Sequence, residues 1–130
     1  MNTEIVMQYV QAVPQWVLIW LAVLAAMNTL SVFFLRHRVA WVVLLTWVVI
    51  IGASAWLIMQ HGGVTRIVAW THLLWVPMVI VLGMMARKPS ETRLLNAWLH
   101  LVVLCNCISL AFDTLEIARW LDGARGIIGA

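Results

Sequence analysis

Charge is what this sequence has least of. Only eight of its 130 residues are Lys or Arg and five are Asp or Glu, a charged fraction of 10%. Soluble domains carry about 25%, so this chain lacks the polar surface that a water-soluble unit of its length needs. Cysteine is scarce as well: Cys105 and Cys107 are the only two. No CxxC and no Cys/His cluster is present, which leaves a zinc site without support. Two positions apart on a helix, these cysteines point about 200° away from each other. They read as small core residues rather than a disulfide. No basic n-region or A-x-A site marks a cleaved signal peptide. The nucleophile elbow, the Gly-rich phosphate loop, the metalloprotease helix and a water-facing acidic pair are all missing. The chain is therefore not expected to be an enzyme on its own.

What is present is apolar. The sequence is 65% hydrophobic with a mean hydropathy of +1.00. Four apolar runs stand out, at 15–35, 39–60, 66–86 and 94–118. Each is close to the roughly 20 residues that a helix needs to cross about 30 Å of hydrocarbon. Arg36-His37-Arg38, His61-Gly62-Gly63 and Arg87-Lys88-Pro89-Ser90 separate them. The Gly pair suits a helix C-terminus, and Pro89-Ser90 suits a break followed by an N-cap. Connections this short make neighbouring helices antiparallel. The expected fold is an all-α integral membrane protein, one four-span domain over 1–130 built as an up-down-up-down four-helix bundle. Residues 119–130 form a short tail, in which the Gly-rich stretch Asp122-Gly123-Ala124-Arg125-Gly126 is expected to be mobile unless something binds it. In residues 1–14, Ile5, Tyr9 and Val13 recur every four positions, with Asn2 or Thr3 available as an N-cap and Pro14 before the first span. That pattern suits an interfacial helix or a frayed leader.

Nine tryptophans test the spans. Trp16, Trp56, Trp70 and Trp120 fall near one interface, and Trp41 and Trp98 near the other, as an aromatic belt requires. Trp20 lies deeper, while Trp47 and Trp75 sit mid-span as packing residues. The basic residues set the orientation. The first and third connections hold five Lys/Arg, and the N-terminus, second connection and C-terminus hold three. The bias places both termini outside, on the periplasmic side of a bacterial inner membrane. Basic residues confined to the ends of apolar runs are a topology signal and argue against nucleic acid as a partner.

Polar groups at membrane depth are costly, so they carry the functional signal. Asn106, Ser109, Asp113 and Glu116 are spaced by three, four and three residues, which places them on one face of span four. A face of this kind belongs against the bundle, a partner or water. Asp113 and His72 sit at nearly equal depth on neighbouring spans, where a carboxylate–imidazole pair lowers the desolvation cost of both. Arg66 and Arg119 add compensating charge. Asn96, His100, Cys107 and Thr114 form a second polar face. His72 and His100 lie in opposite leaflets, about 12 Å apart in height, so one chain does not hold a bis-His haem b. A haem at His72 or His100 needs a second ligand from another subunit. Asn28, Thr29 and Thr46 lie at similar depths and invite hydrogen bonds between spans one and two. The small-residue runs at 22–26 and 52–55 invite close pairing of the same two spans. Pro77 is expected to kink span three one turn past His72.

Three functions fit these residues. One is an accessory, stabilising or regulatory subunit of a larger membrane complex. The second is an oligomeric small transporter or proton-coupled carrier using Asp113 and His72. The third is a haem b electron-transfer anchor. The partners implied are the lipid bilayer and other membrane subunits, or further copies of this chain.

Overall fold

The computed structural model describes residues 3–88 and 92–129. Among these residues the chain is all-helical. A short helix α1 (Thr3–Ala12) leads to α2 (Gln15–Thr29), and Leu30–Phe34 continue α2 in tighter three-residue turns. Next comes α3 (Arg38–His61), then a tightly wound stretch Arg66–Leu74 that runs into α4 (Trp75–Ala86), and finally α5 (Arg93–Leu121). Four of these units are long and apolar enough to cross a membrane: Gln15–Phe34, Arg38–His61, Arg66–Ala86 and Arg93–Leu121. We refer to them as spans one to four. Pro89 and Ser90, read as a break and N-cap, and Asn2, one of two N-cap candidates for α1, lie outside the described residues. Thr3, the other candidate, is the first residue of α1.

The ends of the spans follow from local chemistry. Pro14 occupies the N-cap of α2 in an extended conformation, φ −59° and ψ 144°, a geometry that its fixed φ supplies. Gly62 ends α3 in the left-handed region at φ 66°. The next amide, of Gly63, donates back to the Ile58 carbonyl at 3.1 Å, the bond pattern that a glycine at this position permits.

Span three departs from the expected kinked α-helix. Its first nine residues are wound with three residues per turn, far longer than the three or four at which such winding usually stops. Three features favour it. Ile67, Val68 and Thr71 are β-branched and lower helix propensity. The Thr71 hydroxyl donates to the Val68 carbonyl at 2.8 Å, an i−3 contact. Pro77 lacks the N–H that an α-turn would aim at Leu73, and its ring crowds that carbonyl. As the third residue of α4, Pro77 instead sits where a missing N–H is tolerated.

The core lies between spans two, three and four, around Val43, Ile50, Trp75, Leu82 and Val102. Span four packs against spans one and three, and so does span two. Trp16 packs on Phe112 with ring centroids 5.8 Å apart, and Phe34 stacks on Trp98 at 4.8 Å, joining span one to span four. Trp47 stacks on Trp75 at 6.4 Å, joining spans two and three.

Four expectations need correction. Trp98 is no interfacial anchor: it is buried, and its indole N–H donates to the Met27 carbonyl at 3.0 Å. Asn28 turns to span four rather than span two, while the Thr46 hydroxyl stays on its own helix, donating to Val42 at 2.8 Å. The 52–55 run faces span three, where Ser54 and Thr71 share a hydrogen bond at 2.9 Å, and a Cβ on Gly52 would meet nothing within 4 Å. The tail is also docked rather than loose. Thr65 and Ile127 form an antiparallel bridge, and the Ile128 amide donates to Val64 at 2.8 Å. Gln8 on α1 donates to the Gly129 carbonyl at 3.1 Å. Gly63 makes this fit possible, because a Cβ there would lie 2.6 Å from Ile127.

Candidate functional site

The tight winding of span three creates a face. With three residues per turn, positions i and i+3 eclipse. Arg66, Ala69, His72 and Trp75 therefore line up in one row. In an α-helix each step of three falls about 60° short of a full circle, so Trp75 would end opposite Arg66. Span four answers with its own row, and the two sets meet. His72 Nδ1–H donates to Asp113 Oδ1 at 2.8 Å. Arg66 Nε lies 2.9 Å from Glu116 Oε2, close enough for an ion pair although its N–H is not aimed at an acceptor. The other Glu116 oxygen accepts from Arg119 at 2.6 Å. Glu116 is thus held between two guanidiniums, one from each span.

His72 is fixed from a second side. Its ring stacks on Trp75 with centroids 4.5 Å apart and planes 12° from parallel. The hydrogen bond to Asp113 holds the proton on Nδ1, which leaves Nε2 as the acceptor of the neutral ring. Asp113 is only 9% exposed. Its Oδ1 is engaged, and its Oδ2 is buried without a hydrogen-bond partner among the described residues.

Oδ2 is not alone. A cavity of about 530 Å³ opens at this end of the bundle, between α1, spans one, three and four, and the tail. His72, Asp113, Glu116 and Ser109 are among its lining residues. So are Trp20, Thr65 and Arg66, and Trp20 Nε1, Thr65 Oγ1 and Arg66 Nε are likewise buried without a hydrogen-bond partner among the described residues. Buried polar atoms are paired in the great majority of cases, so four open ones around one cavity call for an explanation. Tyr9 from α1 also lines the cavity. Burial, and the Glu116 carboxylate in addition, push its phenol above the usual 10.0.

The sequence pattern puts Asn106 on the same face, yet the fold uses it differently. Asn106 is 0% exposed. Its amide donates to Asn28 Oδ1 at 3.2 Å and to the Val102 carbonyl at 2.8 Å, and its oxygen accepts from Asn28 at 3.3 Å. Asn28 donates also to Leu24 at 2.8 Å. This closed amide pair joins spans one and four and lies outside the cavity lining. Ser109 is buried between the two clusters.

The second polar face points outward. His100, Cys107 and Thr114 are exposed. His100 Nδ1–H donates to the Asn96 carbonyl at 2.7 Å, and the Asn96 side-chain oxygen has no hydrogen-bond partner among the described residues. His100 and Asp113 stand thirteen residues apart on α5, about 20 Å at 1.5 Å per residue. His72, bonded to Asp113, is thus farther from His100 than the 12 Å expected, and the two imidazoles do not meet.

Trp20, Thr65 and the tail residue Ile128 are cavity residues that sequence reasoning does not find. Trp20 reads only as a tryptophan lying deeper than the belt, and Thr65 reads as a connection residue. The signal for Ile128 is faint: an Ile127-Ile128 pair in an otherwise Gly-rich tail.

By length and hydropathy these four helices are those expected of a membrane protein. The site they frame is a cavity with a buried ionisable cluster. No protein-family model matches the sequence, and no curated protein or solved structure matches it either.

Proposed function

We propose that this chain is a small proton-coupled membrane carrier. It would sit in a bacterial inner membrane as an up-down-up-down bundle with both termini periplasmic, and act as an oligomer. The α1 end of the bundle then opens to the periplasm, and the cavity receives a small polar ligand there. One observation carries the reading: Asp113 is held by His72 through one oxygen and presents the other, unpartnered, to a cavity. A purely structural ion pair has no use for an open carboxylate oxygen, since leaving it unpaired costs about 1–3 kcal/mol or more. A carboxylate beside an imidazole is equipped to exchange a proton, and ionisable groups at membrane depth mark such pathways.

The test is flux. Proteoliposomes containing a pH-sensitive dye are challenged with a carboxylate, an amine and a neutral solute in turn. Proton movement beyond that of protein-free vesicles, present in the wild type and absent in Asp113→Asn, supports the carrier. If no class of solute moves protons through a folded wild-type protein, the reading fails.

A second reading rests on the outward face of span four. His100, Cys107 and Thr114 recur every seven residues, beside Ala97, Leu104, Ala111 and Ala118 at the same interval, and all are exposed. Lipid cannot satisfy the imidazole. Contact with another copy, or with a larger complex that this chain stabilises or regulates, would cover the stripe. Zero-length crosslinking through Cys107 in native membranes distinguishes the two: a band at twice the chain mass marks self-association, and a heavier band marks a partner subunit. A haem b at His72 or His100 would require its second axial ligand from that other chain.

A further inference from the structure

We infer that the cavity takes a small monocarboxylate with an apolar body, bound together with one proton that settles on Asp113. This inference rests on the carrier reading and names its ligand.

The open atoms decide the ligand's polarity. Arg66 Nε and Trp20 Nε1 can only donate, and the Thr65 hydroxyl can donate. Asp113 Oδ2 is the one open group that, ionised, can only accept. A ligand rich in acceptors matches three of the four. A proton on Oδ2 changes the fourth from acceptor to donor, while His72 Nδ1–H keeps its bond to Oδ1. Each of these four groups then offers a hydrogen to a carboxylate, and His72 Nε2 remains an acceptor beside them. Thr65 is 4% exposed and Asp113 9%, so these are interior groups rather than a wet surface.

Charge leads to the same result. The groups facing Asp113 are His72 and Arg66 from span three, Glu116 and Arg119 from its own helix, and Tyr9 from α1. Span one contributes Trp16 and Trp20, and the tail Ile128, none of which titrates. Two guanidiniums balance two carboxylates while His72 and Tyr9 are neutral. An incoming anion upsets that balance, and one accompanying proton restores it. Unbalanced charge in a partly dehydrated site is expensive, so anion and proton enter together. Trp16, Trp20 and Phe112 supply an apolar wall for the rest of the molecule. The volume of about 530 Å³ lies within the range of small-molecule sites.

Calorimetry on the full chain in lipid nanodiscs tests this with three probes of one shape: benzoate, benzylammonium and benzyl alcohol. Repeating each titration in buffers of different ionisation enthalpy counts the protons. The wild type is expected to bind benzoate with uptake of about one proton per ligand, tightening about tenfold for each unit that pH falls across the neutral range. Asp113→Asn carries a permanent donor at the same place, so it should bind benzoate without proton uptake and without that pH dependence. Trp20→Phe keeps the ring and removes the N–H, and should weaken benzoate about tenfold. Arg66→Gln should weaken it more, if the variant folds. Preference for benzylammonium or benzyl alcohol overturns the carboxylate assignment and leaves the carrier standing. Benzoate binding with no proton taken up overturns the coupling. Binding of none of the three overturns this inference, while the flux assay with other solutes still decides the carrier.

Discussion

Asn106 and Asp113 stand seven residues apart on one helix, and their surroundings differ in kind. Around Asn106 every strong donor and acceptor is used: two amides exchange hydrogen bonds and each also donates to its own helix. Around Asp113 one oxygen is bonded and the other faces a cavity, with three more open polar atoms nearby. The Asn28–Asn106 pair has nothing left to offer a ligand. The His72–Asp113 pair does. Polarity inside a bundle of this kind is thus of two sorts, and the count of unused hydrogen bonds tells them apart.

Substitutions should separate the two regions, beginning with the residue that supports the site from below. Trp75 is buried against His72 and Trp47, and Trp75→Ala should cost about 3–5 kcal/mol, read as a lower midpoint in detergent unfolding. Next in size, Asn106→Leu strands Asn28 and should cost about 1–3 kcal/mol. The double variant Asn28→Leu/Asn106→Leu should recover part of that loss, because both partners are then apolar. Failure to recover would show that the amides do more than satisfy each other. Smaller still is the effect of Gly63→Val, which would push Ile127 out of contact. Its stability should change by less than about 1 kcal/mol, while amide exchange at Ile128 rises as its bond to Val64 is lost. The smallest effect concerns Tyr9, the only tyrosine in the chain. Its phenol is raised by burial and by Glu116, so the tyrosinate absorbance should appear above pH 10.0. Below the unfolded value the neutral phenol favours the docked α1 fully. That contribution fades as pH rises toward the raised folded value. Glu116→Gln should bring the midpoint down without returning it fully, since burial is the larger cause.

Much of this was legible in the residues. Run length and charge placement mark the four apolar helices, and Gly62 marks the end of the second. The three-four-three spacing from Asn106 to Glu116 identifies one face of α5, and equal depth places His72 beside Asp113. The rest depends on geometry that spacing does not carry. Helical periodicity assumes α-winding, so the row from Arg66 to Trp75, which exists only with three residues per turn, is invisible to it. Span four carries two polar faces, and the sequence does not say which one each neighbour takes. Depth alone accordingly matches Asn28 to Thr46 rather than Asn106, and puts Trp98 at the interface. Gly-rich composition describes the tail's freedom when unbound and is silent on the gap that Gly63 leaves for Ile127.

A carrier of this kind requires Asp113 to be a working group rather than a lock. Melting and proton-coupled flux measured on the same preparation of Asp113→Asn test that most directly. The variant is expected to melt within a few degrees of the wild type, as a cost below about 1 kcal/mol implies, and to carry no proton-coupled flux. A variant that loses as much stability as Asn106→Leu, beside a wild type that moves no protons, would place His72 and Asp113 with the amide pair as structure alone.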